Sequence, residues 1–115
     1  MPYLKLTTNV STVKTKENEV LTQLSQTLAR ETGKPESYVM VELNFNPTMC
    51  FAGKTDPLAY LECKSIGLSP MQAKSISSEI SRFLHGALNI DAARIYTEFS
   101  NCPGNYWGWN GGTFG

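Results

Sequence analysis

Apolar and polar residues alternate from Tyr3 to Thr8 in a run rich in β-formers, which predicts a strand. After a polar stretch over residues 9–15 the period lengthens. Leu21, Leu24 and Leu28 recur at helical spacing with Val20 beside them, predicting a helix from about Lys16 to Thr32. Gly33 supplies a left-handed stop and Pro35 forbids continuation. A second strand is expected over Tyr38 to Phe45, broken by Asn46-Pro47. A short hairpin arm over residues 49–52 and a turn over 53–57 follow.

The pattern then starts again. A strand is expected over Leu58 to Ile66. The run Ser69-Pro70-Met71-Gln72 has the form of a helix start, with Ser69 as N-cap, Pro70 in the first turn and Gln72 closing a capping box. Ile76, Ile80, Phe83, Leu84, Ala87 and Leu88 share one helical face, and Asn89 stands where a left-handed stop is needed. Arg94 to Phe99 reads as the last main strand. Laid on one another, the halves match at a constant offset: Leu24 with Ile80, Leu28 with Leu84, Gly33 with Asn89, Val39 with Ile95 and Glu42 with Glu98. Such self-matching predicts one domain over residues 1–115 with an internal repeat, about 2–57 and 58–115.

The expected architecture is α/β: two pseudo-symmetric β-α-β units forming a four-stranded mixed sheet with two helices on one face. That arrangement leaves the other sheet face bare. An apolar face of that size would need cover, so self-association is expected.

Composition narrows the function classes. Hydrophobic residues make up 41% and charged residues 17%, as in a globular chain, and the formal net charge is zero. No basic footprint for nucleic acid or anionic lipid is present, so neither is expected as a partner. No run approaches the roughly 20 apolar residues of a membrane span, and no basic-then-apolar leader opens the chain. The cytoplasm is the expected location, with leaderless secretion left open. Cys50, Cys63 and Cys102 form no C-x-x-C and cannot all pair, which fits a reducing compartment. One histidine, His85, without clustered Cys or carboxylates makes a poor metal ligand, so neither a metal nor another cofactor is expected.

Two features remain. The segment NCPGNYWGWNGGTFG concentrates Tyr106, Trp107, Trp109 and Phe114 among glycines and asparagines. It either adds a short strand around residues 106–109 to a sheet edge or lines an apolar pocket, and the two readings are compatible. The other is Pro2. It either stiffens the first residue of an edge strand or, once the initiator methionine is trimmed, becomes an N-terminus with a free secondary amine. With Met1 attached, its nitrogen is a tertiary amide without a basic lone pair.

Six short matches in order now acquire a common meaning: Pro2, Thr8-Asn9-Val10, Thr32-Gly33-Lys34-Pro35, Ser65-Ile66-Gly67, Arg94-Ile95-Tyr96, and Gly108-Trp109-Asn110 with Thr113-Phe114. On a duplicated β-α-β pattern, the chain resembles macrophage migration inhibitory factor and its tautomerase relatives over essentially its full length. The resemblance implies a homotrimer whose three sheets form an inner barrel, with active sites at the subunit interfaces. It also implies keto–enol tautomerisation of small aryl keto acids such as phenylpyruvate, with the mature N-terminal proline as general base.

By the same resemblance Pro2, Lys34 and Tyr96 are the catalytic residues. Lys34 would grip the substrate carboxylate, though a lysine after a helix C-terminus also suits the helix dipole. The Ile66 amide would help hold that carboxylate, and Tyr96 would come from the neighbouring subunit. Tyr3, Tyr38, Trp109 and Phe114 would wall the pocket, with Glu98 and Trp107 as departures. Glu98 stands where animal relatives carry asparagine and adds a negative charge. Trp107 replaces a small aliphatic residue and narrows the pocket. The C-x-x-C of vertebrate relatives is Leu58-Ala59-Tyr60-Leu61 here, so thiol-oxidoreductase chemistry is not expected. The alternative is a non-enzymatic, cytokine-like interaction protein that retains the fold.

Overall fold

A computed structural model describes all of residues 1–115. Strand β1 (Tyr3–Thr8) leads into helix α1 (Glu17–Thr32) and strand β2 (Met40–Phe45). Strand β3 (Ala59–Ile66), helix α2 (Pro70–Leu88) and strand β4 (Ile95–Cys102) repeat that order. The sheet runs β2-β1-β3-β4. Each β-α-β unit pairs its own strands in parallel, and β1 and β3 meet antiparallel at the centre. The sheet is therefore mixed, as the sequence predicts.

Alternation decides which side is buried. Leu4, Leu6 and Thr8 of β1 and Ala59, Leu61, Cys63 and Ser65 of β3 are buried, while the residues between them face away. Leu4, Leu6, Ala59, Leu61 and Cys63 of that set form one core with Val20, Leu24 and Leu28 of α1 and Ile76, Ile80, Leu84 and Leu88 of α2, so both helices lie on one face. Leu21 is only half-buried, because Val20 rather than Leu21 takes the core position one turn before Leu24. The Cys63 thiol sits inside this core, where burial pushes it up to about 12 and keeps it an unreactive thiol.

Both helix stops behave as their residues require. Gly33 (φ 69°) and Asn89 (φ 56°) are left-handed. At the start of α2, Ser69 Oγ accepts from Gln72 N (3.1 Å) while Ser69 N donates to Gln72 Oε1 (2.9 Å), completing the capping box.

Three expectations need correction. Tyr38 does not begin β2. It closes a 3-10 turn over Glu36–Tyr38 that Pro35 initiates, with Tyr38 N donating to Pro35 O at 3.0 Å. The tail does not extend the main sheet either. Strands β5 (Gly108–Trp109) and β6 (Gly112–Thr113) form a separate hairpin. Its turn residues, Asn110 (φ 53°) and Gly111 (φ 80°), carry the paired positive φ values of a tight hairpin turn.

The bare sheet face is, finally, mostly polar. One row across the four strands reads Glu42, Lys5, Glu62, Glu98, and the flanking rows hold Tyr3, Lys64, Ser100, Asn44, Thr7, Tyr60 and Tyr96. Large apolar exposure there is confined to Met40 and Tyr96, one on each edge strand. A general demand to hide apolar area therefore does not apply to it.

Candidate active site

Pro2 precedes β1 and is buried. Its carbonyl accepts from Met40 N at 3.0 Å, which carries the parallel β1–β2 ladder one step further and fixes Pro2 against the start of β2. A cavity of about 320 Å³ opens there. Pro2, Tyr3, Tyr38, Trp107, Trp109 and Phe114, all expected from the sequence, line it together with Met1, Ser37, Val39, Met40 and Gly108. A larger groove of about 670 Å³ lies along α2, beside Lys74, Ser77, Ser78, Ser81, Arg82, His85, Asp91 and Ala92. It is a shallow, polar surface without an aromatic wall, whereas a binding site for a small molecule is concave and mostly apolar with a few polar groups. The smaller cavity fits that description.

Its aromatic wall is braced from two sides. The ring of Tyr38 meets Trp109 (centroids 5.5 Å apart, 71°) and Phe114 (6.0 Å, 80°) edge-on, and Trp109 stacks on Phe114 (5.5 Å, 17°). Such pairs contribute about 0.5–1.5 kcal/mol each beyond area burial. Phe114 N donates to the carbonyls of Gly104 (3.1 Å) and Trp107 (3.2 Å), which folds the tail back onto itself. The approach is close at Gly104, where a Cβ would meet the Phe114 carbonyl oxygen at 3.3 Å. On the other side, Ser25 Oγ donates to Glu36 Oε2 (2.8 Å) and ties the turn carrying Tyr38 to α1.

Electrostatics at the cavity follow from burial and one lysine. The chain's amino group, on Met1, is held below its ordinary value of 8.0, first by burial and then by the positive charge of Lys34. Lys34 directly follows Gly33, the left-handed end of α1; it does not line the cavity but lies near enough for its charge to act on the amino group. The Tyr3 hydroxyl donates to Glu42 Oε1 at 2.6 Å on the bare sheet face. That bond, with burial and the charges of Glu42 and Glu62, pushes Tyr3 up to about 12.

The remaining expected residues lie apart from this wall. Ile66 ends β3, at the same end of the sheet where β1 begins. Asn101 Oδ1 accepts from Gly67 N (2.9 Å) and Leu68 N (3.1 Å) and so fixes the turn after Ile66, a role that no local sequence signal announces. Tyr96 and Glu98 stand on β4, and Tyr96 pairs across β3 with the far end of β1. Within one chain neither reaches the cavity. Both are exposed on the bare face, and burial with the charges of Glu98 and Glu62 raises the phenol of Tyr60 beside them. Met40, Val39 and Ser37 were not expected in the cavity. Their place follows from the turn over Glu36–Tyr38, which a reading of this stretch as continuous strand obscures.

No helix is long and apolar enough to cross a membrane, and no three His, Cys, Asp or Glu side chains cluster as metal ligands. Against known proteins, residues 1–115 match the family described as macrophage migration inhibitory factor. A macrophage migration inhibitory factor of Xenopus tropicalis is 35% identical over 99% of both chains, and a homologue from Brugia malayi is 34% identical over the full length of both. Among solved structures, a homologue from Prochlorococcus marinus superposes with a TM-score of 0.91 at 39% identity, over 98% of this chain and 99% of the other.

Proposed function

Because the chain belongs to the macrophage migration inhibitory factor family and has the tautomerase fold, we propose that it is a keto–enol tautomerase of small aryl keto acids such as phenylpyruvate. The observation that carries this reading is a buried Pro2 lining an aromatic cavity, next to an amino group that burial and Lys34 hold below its usual pKa.

Removal of Met1 converts the Pro2 nitrogen from an amide into a secondary amine in the same surroundings. An α-amino group ordinarily titrates at about 7.7–8.0. Desolvation and a neighbouring cation both disfavour the ammonium form, so the amine is free to accept a proton near neutrality. In the keto-to-enol direction Pro2 takes a proton from the carbon next to the ketone, and the electron pair of that C–H bond moves toward the ketone oxygen. The prolinium then returns the proton to that oxygen. The reverse direction runs the same two transfers backwards. Lys34 and the Ile66 amide hold the carboxylate, and Tyr38, Trp109 and Phe114 take the ring. Trp107 narrows the wall. In a homotrimer with sites at the subunit interfaces, Tyr96 and Glu98 of a neighbouring copy complete each pocket. Positioning and proton transfer are adequate for this reaction, and no metal or cofactor enters it.

The test is the decay of phenylenolpyruvate absorbance. Protein freed of Met1 is expected to accelerate it, and protein retaining Met1 is not. Pro2→Gly keeps a terminal amine but makes it primary, and is expected to lose about 10²-fold or more in kcat/KM. Since the active form is the unprotonated base, kcat/KM climbs with pH through the pKa of the Pro2 amine, which burial and the Lys34 charge lower, and then levels. Lys34→Met removes the cation, so it moves that limb to higher pH and raises KM. Near-normal turnover in Pro2→Gly removes the proline from the mechanism.

A further inference from the structure

One side chain gathers an entire loop. The Arg94 guanidinium donates to four backbone carbonyls: Nε to Pro57 (3.0 Å), Nη1 to Phe51 (3.2 Å), and Nη2 to Lys54 and Asp56 (3.2 Å each). Four bonds in a fixed fork use nearly the whole donor set of an arginine, and a single ammonium cannot reproduce them. The loop they hold is a small hairpin of its own. Phe51 N donates to Lys54 O (2.9 Å) and Lys54 N to Phe51 O (3.0 Å), around Ala52 (φ 55°) and Gly53 (φ 73°).

The purpose of so tight a grip lies in the ring of Phe51. Arg94 sits over that ring, 5.4 Å from its centroid, while holding the same residue's carbonyl. The same ring packs on Tyr96, with centroids 4.7 Å apart at 44°. Tyr96 is otherwise an exposed side chain on an edge strand, and 64% of its surface is open. Apart from Phe51 no aromatic ring packs against it, and its hydroxyl holds no hydrogen bond within the chain.

We infer that Arg94 is a positioning residue that sets the pose of Tyr96 through Phe51, so that the tyrosine is presented to an adjacent pocket already ordered. The catalytic consequence rests on the tautomerase reading, whereas the pose itself does not. Lys in place of Arg94 keeps the charge and loses the fork. Phe51→Leu keeps the fork and loses the ring. Asn9→Ala is the control. Asn9, just after β1, grips the same loop through Nδ2 to Thr55 O (2.9 Å) and Oδ1 from Leu58 N (3.0 Å), and neither bond involves Phe51.

The experiment records the ring NMR signals of the five tyrosines in selectively labelled Met1-free protein, with Tyr96→Phe identifying the Tyr96 signal. Arg94→Lys and Phe51→Leu are expected to move that signal toward the free-tyrosine position, and Asn9→Ala to leave it in place. In the phenylenolpyruvate assay Arg94→Lys is expected to lower kcat/KM roughly ten- to hundredfold, the scale of a misplaced reacting geometry. In a Tyr96→Phe background it should lower it no further. An unmoved Tyr96 signal in Arg94→Lys overturns the inference, as does an equal shift in Asn9→Ala. A wild-type protein without tautomerase activity removes the proposed function instead, and the Tyr96 signal then decides the inference alone.

Discussion

Glu42 settles what Tyr3 can contribute to the cavity it borders. A phenol pushed up to about 12 by a carboxylate hydrogen bond, burial and two negative charges stays protonated through the working range. Its proton is committed to Glu42 Oε1. Tyr3 therefore supplies a wall rather than an acid, and proton traffic falls to the proposed Pro2 amine. Glu42→Gln removes the charge while leaving an oxygen that accepts. The late-titrating tyrosine is then expected to fall toward the ordinary value of about 10, read by ultraviolet titration of phenolate in a Tyr60→Phe background. The sign is fixed, because loss of a neighbouring negative charge makes phenolate easier to form. A titration unchanged by Glu42→Gln would show that some other group holds the Tyr3 proton.

At the scale of elements, the parts written into adjacent residues are those that the sequence discloses. The capping box of α2 is four consecutive residues, and it forms as they imply. Ser69→Ala removes the acceptor for Gln72 N and is expected to cost about 1 kcal/mol of stability, measured as a shift in the denaturant midpoint without change in slope. An unaltered midpoint would mean that the helix start is held by its packing alone. Strand alternation over Tyr3 to Thr8 and the stops at Gly33 and Asn89 are equally local, and they were legible for that reason.

Tyr38 shows where local reading fails. Its spacing with Met40 and Glu42 imitates a strand, but Pro35 presets a turn first. Asn110-Gly111 is a local hairpin signal, and its two positive φ values close β5 on β6 and not on the main sheet. The Arg94 clamp could not be read at all, since strand β3 and helix α2 separate Arg94 in sequence from the carbonyls it holds. The candidate site is intermediate. Aromatic character in the tail was visible, but its convergence on Pro2 depends on the folded-back tail and the turn carrying Tyr38 meeting in space.

For the molecule as a whole, the row Glu42, Lys5, Glu62, Glu98 sets the terms of assembly. It holds three carboxylates against one ammonium on the face that the proposed trimer turns inward. Three copies bring nine carboxylates and three ammonium groups around one axis, so Lys5 is the main counterweight within that row. Screening decides how much this matters: charges interact over about 30 Å at 0.01 M salt but only about 10 Å at 0.1 M. The wild-type protein is expected to sediment at three times its 12.7 kDa chain mass across that range. Lys5→Glu makes the row wholly acidic. It is expected to dissociate at the low salt and to reassemble at the high, because the added repulsion is long-ranged and screened by salt whereas short-range apolar packing is not. The bare face offers only Met40 and Tyr96 as large exposed apolar groups, one on each edge strand, to oppose that repulsion. A Lys5→Glu protein that stays trimeric at both salt concentrations would mean that this row does not face its copies. The sheet would then need another arrangement to bring Tyr96 and Glu98 to a neighbour's cavity.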